Sequence, residues 1–168
     1  MASTVIDQNG TRKFYDADGL LHREDDLPAV EHARGGKEWY QHGVRHRDGD
    51  KPAVQYMDGS MFYYENGVRH RDGDMPAIVH GNGSVEYFFQ GKLTRAGGLP
   101  AVINADGEKQ WWVDNKFHRE DDLPAIERAN GEKLWWVNGV QHRANGPAIE
   151  RPNGNNVYLV DGIRVHPK

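Results

Sequence analysis

The chain has 168 residues, of which 37% are hydrophobic, and a formal net charge of −4 with both signs interleaved. The length suits one domain of ordinary size, and the low apolar fraction predicts a thin, extended core. The mixed charge argues against nucleic-acid binding, which depends on clustered Lys and Arg, and the absence of cysteine excludes disulfides, Cys-based zinc sites and a thiol nucleophile.

The N-terminal segment MASTVIDQNG has neither a basic region nor an apolar stretch, so we expect no signal peptide there. No apolar run along the chain approaches the length of a membrane span. These features predict a cytoplasmic protein that does not insert into a membrane.

A repeat of 24 residues organises the chain. In most copies, a turn glycine is followed by a bulky pair of residues, then by a His-Arg pair, and then by a Pro-Ala pair. Because independent landmarks share one period, we predict a single array of about seven repeats over residues 1–168, with degenerate copies capping both ends. The prolines of the Pro-Ala pairs are Pro28, Pro52, Pro76, Pro100, Pro124 and Pro147, at spacings of 24, 24, 24, 24 and 23 residues.

The elements of one repeat follow in a fixed order. Pro-Ala opens a short strand with a β-branched residue such as Val54, and a turn such as Asp58-Gly59 leads to the strand with the aromatic pair. A second turn such as Asn66-Gly67 leads to the His-Arg strand, and an acidic loop such as residues 72–74 returns to the next Pro-Ala. Asn-Gly and Asp-Gly between such runs predict hairpins with type I′ turns, which need φ > 0 at both central residues.

These elements predict an all-β fold with almost no helix, because no segment has helical periodicity with caps. The architecture we expect is an elongated single-sheet meander, or solenoid, of about seven stacked 24-residue β-hairpin repeats. One repeat is too small to bury its own apolar face, so stability has to come from contacts between neighbouring repeats.

The hairpin repeat, with its aromatic strand, Asn-Gly turn and glycine-marked return, resembles the MORN-type repeat. It is more similar to the degenerate MORN variant of bacterial, phage and large-virus proteins, through the runs LHREDDLPA at residues 21–29 and FHREDDLPA at residues 117–125. The resemblance extends from about Gly10 to His166, and it implies an elongated interaction scaffold, with dimerisation or antitoxin-like roles in some members. The Pro-Ala and His-Arg-acidic segments depart from the standard pattern, so the phospholipid contacts of standard members are not carried over.

The His-Arg-acidic segments invite a metal site, but geometry opposes it. Equivalent histidines in adjacent repeats would lie about 10 Å apart, whereas zinc ligands lie about 2.0–2.1 Å from the ion. We therefore predict no metal and no cofactor; a calcium loop at residues 48–50 or 72–74 is the alternative, although the EF-hand ligand series is absent. We expect each Arg to pair with loop carboxylates of its own or the next repeat. The structural pairs are His22-Arg23, His46-Arg47, His70-Arg71, His118-Arg119 and His142-Arg143.

The aromatic pairs form two columns, because successive strand residues point to opposite faces. We predict that one column is an exposed stripe that binds a partner; loops covering both columns are the alternative. The candidate partner-binding residues of the first column are Trp39, Tyr63, Tyr87, Trp111 and Trp135. The second column holds Tyr40, Tyr64, Phe88, Trp112, Trp136 and Leu159.

Residues 93–98 break the repeat by losing both the His and the acidic residues, with Thr94 standing where a His is due. This break is either drift or the place where a partner is recognised. No nucleophile elbow or Walker loop is present, so we predict that the protein is not an enzyme. We expect a non-catalytic scaffold that binds a partner protein, as a phage-type inhibitor in the host cytoplasm or an antitoxin-like blocker. The alternative is glycan or small-ligand binding along the aromatic stripe.

An open meander also leaves two edges, near Phe14 and near Tyr158, with unpaired backbone groups. Pro152 and Pro167 suit blunting of the C-terminal edge, whereas no proline precedes Pro28. We therefore predict that any homodimer forms at the N-terminal edge, as a two-fold contact that closes and stops growth.

The array should fold without metal. Prolonged treatment with EDTA should leave the melting temperature unchanged, because the sequence has no clustered set of ligands. A drop of several degrees in thermal unfolding would contradict the ion-pair interpretation of the His-Arg segments.

Overall fold

The computed structural model describes residues 2–166, which divide into two compact units, one up to Gly83 and one from Ser84 onward. The described residues are all-β, so the predicted absence of helix is confirmed. No helix that could cross a membrane occurs in this part of the chain. Pro167, which was predicted to blunt an edge, lies outside the described residues.

The N-terminal unit begins with one hairpin of four-residue strands and continues with two-residue strands. Its strands are β1 (Ser3–Ile6), β2 (Arg12–Tyr15), β3 (Val30–Glu31), β4 (Lys37–Glu38), β5 (Tyr40–Gln41), β6 (Val44–Arg45), β7 (Val54–Gln55), β8 (Met61–Phe62), β9 (Tyr64–Glu65), β10 (Val68–Arg69) and β11 (Ile78–Val79).

The C-terminal unit repeats the same short elements. Its strands are β12 (Val85–Glu86), β13 (Phe88–Phe89), β14 (Lys92–Leu93), β15 (Val102–Ile103), β16 (Lys109–Gln110), β17 (Trp112–Val113), β18 (Lys116–Phe117), β19 (Ile126–Glu127), β20 (Lys133–Leu134), β21 (Trp136–Val137), β22 (Val140–Gln141), β23 (Ile149–Glu150), β24 (Leu159–Val160) and β25 (Ile163–Arg164).

Each unit contains an antiparallel meander with small hairpins beside it. In the N-terminal unit the order of the main sheet is β1-β2-β3-β4-β7-β8-β11, and β5–β6 and β9–β10 are separate two-stranded sheets. In the C-terminal unit the order is β12-β15-β16-β19-β20-β23, with four separate hairpins, β13–β14, β17–β18, β21–β22 and β24–β25. The predicted antiparallel meander of hairpin repeats is confirmed.

The aromatic strand of each repeat is interrupted at its first aromatic residue, which the sequence did not predict. The backbone N–H of Trp39 donates to the carbonyl oxygen of Ala53 at 2.8 Å, and its carbonyl oxygen accepts from the N–H of His46 at 3.3 Å. Trp111 makes the same two bonds, to Ala125 and from His118. At this residue the backbone stops pairing with the main sheet and begins pairing within the small hairpin. The aromatic strand is therefore divided into two short strands.

The turns of the small hairpins follow the prediction, and those of the main sheet do not. Asn66 and Gly67 have φ of 48° and 83°, and Asn138 and Gly139 have φ of 50° and 85°, as a type I′ turn requires. At Asp58-Gly59 only the glycine has positive φ, and the N–H of Tyr56 donates to the carbonyl of Ser60 at 2.9 Å. The prediction of a type I′ turn there is wrong. The loop between Tyr56 and Ser60 contains three residues, whereas a type I′ hairpin loop contains two.

The first aromatic column belongs to the core, so the prediction that it forms an exposed stripe is wrong. The relative exposure of Trp111 is 6%, and Trp39, Tyr63 and Trp135 are also buried, while Tyr87 is half-buried. The arginine of the same repeat covers the ring, as Arg119 covers Trp111 at 3.7 Å, and the backbone N–H binds the next Pro-Ala pair, whose alanine is fully buried. The second column is half-buried at Tyr40, Tyr64, Trp112 and Trp136 and buried at Phe88.

The N-terminal edge is not the strand near Phe14. Residues Ser3–Ile6 add the further strand β1, which pairs with β2 in the register Thr4 to Phe14. Val5 and Ile6 are exposed on this outer strand. The homodimer predicted for the edge near Phe14 would therefore have to form on β1.

The burial of the first column predicts unequal costs for the two halves of an aromatic pair. Trp111→Ala should lower the free energy of unfolding by about 3–5 kcal/mol, the range for a buried Trp, whereas Trp112→Ala should cost clearly less because its ring is half-buried. Urea unfolding followed by circular dichroism measures both, and equal losses would contradict the assignment of the core.

Candidate partner-binding site

An arginine covers the first aromatic ring of the pair in six repeats. The guanidinium carbon lies 3.7 to 3.9 Å from the ring centroid, a cation–π geometry. The same arginines donate from Nη1 to the carbonyl of the following Pro at 3.1 to 3.5 Å. The pairs are Arg23 on Phe14, Arg47 on Trp39, Arg71 on Tyr63, Arg95 on Tyr87, Arg119 on Trp111 and Arg143 on Trp135.

Aspartates of the preceding repeat bind the other edge of several of these guanidinium groups. Nε and Nη2 of Arg47 donate to the two carboxylate oxygens of Asp26 at 2.7 and 3.1 Å, and Arg71 binds Asp50 in the same way at 2.7 and 2.9 Å. Nε of Arg143 donates to Asp122 at 3.0 Å. The prediction that Arg uses loop carboxylates of its own or the next repeat is therefore wrong for these pairs, which reach back to the loop before.

The ion pairs of Arg47 and Arg71 lower the pKa of their aspartate carboxyl groups. Hydrogen bonds from Arg47, and then from Lys51, hold the pKa of Asp26 far below its ordinary value. A hydrogen bond from Arg71 likewise lowers the pKa of Asp50. Because both carboxylates are favoured in their charged form, each remains an acceptor for its arginine well into the acid range.

The acidic loop is also bound through its backbone. The indole Nε1 of Trp39 donates to the carbonyl oxygen of Asp26 at 2.9 Å, and that of Trp135 donates to Asp122 at 2.8 Å. Trp111 makes the same bond to Gly98 at 2.8 Å. The loop carbonyl therefore accepts the same indole hydrogen bond in these three repeats, whether the residue is Asp or Gly.

The histidines join each acidic loop to the next small hairpin. Nε2 of His22, His46, His70 and His118 contacts a carboxylate two residues later at 2.8 to 3.0 Å. Nδ1 of His46 and His118 accepts from the backbone N–H of Asn66 and Asn138 at 3.2 and 3.1 Å. Both ring nitrogens of His46 and His118 are therefore occupied within the fold. Residues 2–166 contain no group of three or more His, Asp or Glu side chains that could hold a metal ion.

Similar surface depressions lie between the His-Arg segments of consecutive repeats. Two of them, in the N-terminal unit, contain the ion pairs of Asp26 and Asp50. A third, in the C-terminal unit, contains Gly98 where those two have an aspartate. We call it the Gly98 pocket; its principal lining residues are Gly98, Leu99, Trp112, Val113, Arg119 and Leu123.

The Gly98 pocket is more apolar than its equivalents. Leu99 and Val113 stand where the pocket of Asp50 has Lys51 and Glu65. The relative exposures of Leu99, Val113 and Leu123 are 45%, 48% and 43%. Three aliphatic side chains thus surround a half-buried tryptophan and a guanidinium.

The second aromatic column is covered by its own chain. In the N-terminal unit the Arg45 guanidinium lies 5.1 Å from the ring of Tyr40 and 5.0 Å from that of Tyr64. In the C-terminal unit the ring centroid of Phe117 lies 3.7 Å from that of Trp112 and 5.4 Å from that of Trp136. Arg45 and Phe117 therefore lie against neighbouring rings of this column, so the rings do not form the open stripe that was predicted.

The site residues predicted from the sequence are only partly brought to this surface. Trp111 lines the Gly98 pocket, whereas the half-buried Thr94 does not, and its backbone N–H donates to the carbonyl of Tyr87 at 3.2 Å. Gly98 lay in the segment marked as a break in the repeat, but Leu99, Val113 and Leu123 were missed. A comparison of equivalent positions would have shown Gly98 in place of an aspartate, but not Leu99, because Leu27 occupies the equivalent position in another repeat.

The chain was compared with models of protein families and with curated proteins, and neither comparison finds a match. The resemblance to MORN-type repeats therefore stays a prediction.

The Asp26 ion pair predicts a pH-dependent contribution to stability. Its contribution is present above the unfolded pKa of about 3.9 and is lost as pH falls towards the lower folded pKa. Between about pH 5 and pH 2 the wild type should lose stability more steeply than Asp26→Asn, measured by urea unfolding at each pH. Asp25→Asn removes the same charge one residue earlier and is the matched control; equal slopes for wild type and Asp26→Asn would contradict the role of this ion pair.

Proposed function

We propose that the protein is a non-catalytic repeat module that binds a partner protein through the surface around the Gly98 pocket. The observation that carries this proposal is the cluster of Leu99, Val113 and Leu123, exposed together beside Trp112 and Arg119. A contiguous exposed apolar patch with a polar rim is typical of an interaction site.

The composition of the patch favours a protein partner. Interface centres are enriched in aromatic residues and Arg and depleted of Lys and Glu. The depression that contains Asp50 has Lys51 and Glu65 at the positions of Leu99 and Val113, so the Gly98 pocket presents aliphatic side chains where that depression presents charges. Burial of these side chains against a partner would remove apolar surface from water.

The geometry disfavours the predicted alternative of glycan stacking along open rings. Arg119 covers the face of Trp111 at 3.7 Å, and Phe117 lies 3.7 Å from Trp112. A sugar would have to displace these contacts before its ring could stack.

Catalysis is disfavoured by the use of the polar residues. The repeated His, Arg and Asp side chains form hydrogen bonds and ion pairs between consecutive loops and hairpins. A chemical step needs groups that converge on a substrate, whereas these converge on each other.

The proposal is tested by comparing Leu99 with its equivalent in another repeat. Leu27 follows Asp26 as Leu99 follows Gly98, and the exposure of Leu27 is 44%. Affinity capture from an extract of the source cells, with the bound proteins quantified by mass spectrometry, should yield a partner that Leu99→Asn binds about tenfold more weakly. Leu27→Asn should bind that partner like the wild type; equal binding by all three proteins would contradict this assignment of the surface.

A further inference from the structure

We propose that Arg119 binds a carboxylate of the partner, in the position that an aspartate of the protein itself occupies in equivalent repeats. The inference rests on the proposed function and specifies the chemical group that the partner presents. It predicts a carboxylate next to an apolar side chain, such as an Asp or Glu flanked by a hydrophobic residue.

The position of the missing aspartate is defined by three other repeats. Asp26, Asp50 and Asp122 each lie 21 residues before their arginine and accept its Nε–H at 2.7 to 3.0 Å. The residue 21 positions before Arg119 is Gly98. The C-terminal unit therefore lacks one carboxylate of this series.

The loop at Gly98 has the same conformation as the loops that contain the aspartates and lacks only the carboxylate side chain. Gly98 has φ of 68°, in the left-handed region where Asp26, Asp50 and Asp122 stand at 54°, 51° and 52°. Its carbonyl oxygen accepts the indole N–H of Trp111 at 2.8 Å, as the Asp26 carbonyl accepts that of Trp39. A Cβ added at Gly98 would meet no heavy atom within 4 Å, so a side chain can begin at this position without a clash.

Arg119 is held in position to bind a carboxylate where the aspartate is missing. Its guanidinium lies over Trp111, and Nη1 donates to the carbonyl of Pro124 at 3.1 Å and to Glu127 at 2.9 Å. Within residues 2–166, Nε and Nη2 of Arg119 form no hydrogen bond. A fixed, permanently charged guanidinium with one open edge suits a bidentate carboxylate.

The bond to Glu127 does not exclude a second carboxylate. Arg143 binds Glu150 through Nη1 at 2.9 Å while its Nε binds Asp122 at 3.0 Å. Arg119 has the counterpart of Glu150 in Glu127 and lacks only the counterpart of Asp122. One arginine of this fold thus already shows both edges occupied at once.

The rim of the pocket defines what accompanies the carboxylate. Leu99, Val113 and Leu123 form its apolar side. Of the acidic residues that line it, Glu120 is bound to His118 at 2.8 Å, and Asp121 is exposed. A ligand with one carboxylate and an apolar neighbour fits this distribution better than a multiply charged anion, which the two acidic residues would repel.

Titration of the full chain with small carboxylates tests the proposal directly. The probes are N-acetylphenylalanine, which has a free α-carboxylate, and acetyl-aspartyl-phenylalanine amide, which has only a side-chain carboxylate; N-acetylphenylalanine amide is the uncharged control. The readout is the Nε–H resonance of Arg119 in ¹⁵N-labelled protein, assigned by its loss in Arg119→Lys. At least one carboxylate should shift it with a Kd on the order of millimolar, and the amide should not.

Two further variants separate this site from a general charge effect. Gly98→Asp restores the internal carboxylate at a φ that Asp adopts in the equivalent loops, so it should keep or raise the melting temperature and weaken probe binding at least about tenfold. Asp122→Gly opens the same edge of Arg143 and should create a second resonance that responds to the probe.

The following outcomes overturn the proposal. They are an equal response to the uncharged amide, unchanged binding in Gly98→Asp, or no shift with either carboxylate up to about 20 mM. A response to the α-carboxylate alone identifies a chain terminus as the source, and a response to the aspartyl probe identifies a side chain; both support the site.

The captured partner distinguishes the two levels of inference. If Leu99→Asn loses the partner while Gly98→Asp binds it like the wild type, the interaction surface stands and the carboxylate at Arg119 is excluded. If Arg119 binds the probes but Leu99→Asn captures the same proteins as the wild type, the pocket is a carboxylate site and the proposed protein interface fails.

Discussion

The contact between an arginine and the first aromatic ring, which recurs in six repeats, connects the other elements of the fold. One repeat has strands of two residues, which supply few backbone bonds, and its fully buried core position is an alanine. The guanidinium covers the ring, binds the carbonyl of the following proline, and in several repeats binds the aspartate of the loop before. One side chain thus links core, strand start and preceding loop, which is how a repeat too short to fold alone acquires its neighbour interface.

The period, the absence of helix and the hairpins were predictable because turn residues and aromatic pairs recur in the sequence. The choice between the two aromatic columns was not, because alternation along a strand says only that the two residues of Trp111-Trp112 point apart. The Trp111 side chain is the one that Arg119 covers and that binds the carbonyl of Gly98, and both are tertiary contacts without a local sequence signal. The interruption of the aromatic strand depends on a tertiary contact as well, the backbone bond from Trp111 to Ala125.

The sequence indicated only part of the candidate site. Residues 93–98 were predicted to break the repeat by losing both the His and the acidic residues, but the sequence did not indicate which side chain the missing acid would bind. The meaning of Gly98 depends on Arg119, 21 residues later, and the sequence does not show that an arginine reaches backwards rather than forwards. Once the pairs of Arg47 with Asp26 and Arg71 with Asp50 are known, the replacement becomes interpretable from the sequence alone.

The backward reach of the arginine also determines where the repeat tolerates a change of length. The last interval between Pro-Ala pairs has 23 residues, and the shortening falls between Arg143 and Pro147, after the arginine. Arg143 still binds Asp122 and still donates to the proline carbonyl, now four residues away instead of five. A deletion between the aspartate and its arginine, which are 21 positions apart, would instead move the two side chains out of register. Insertions and deletions during the divergence of such arrays should therefore collect in the short stretch between arginine and proline, and the rest of the period should keep its length.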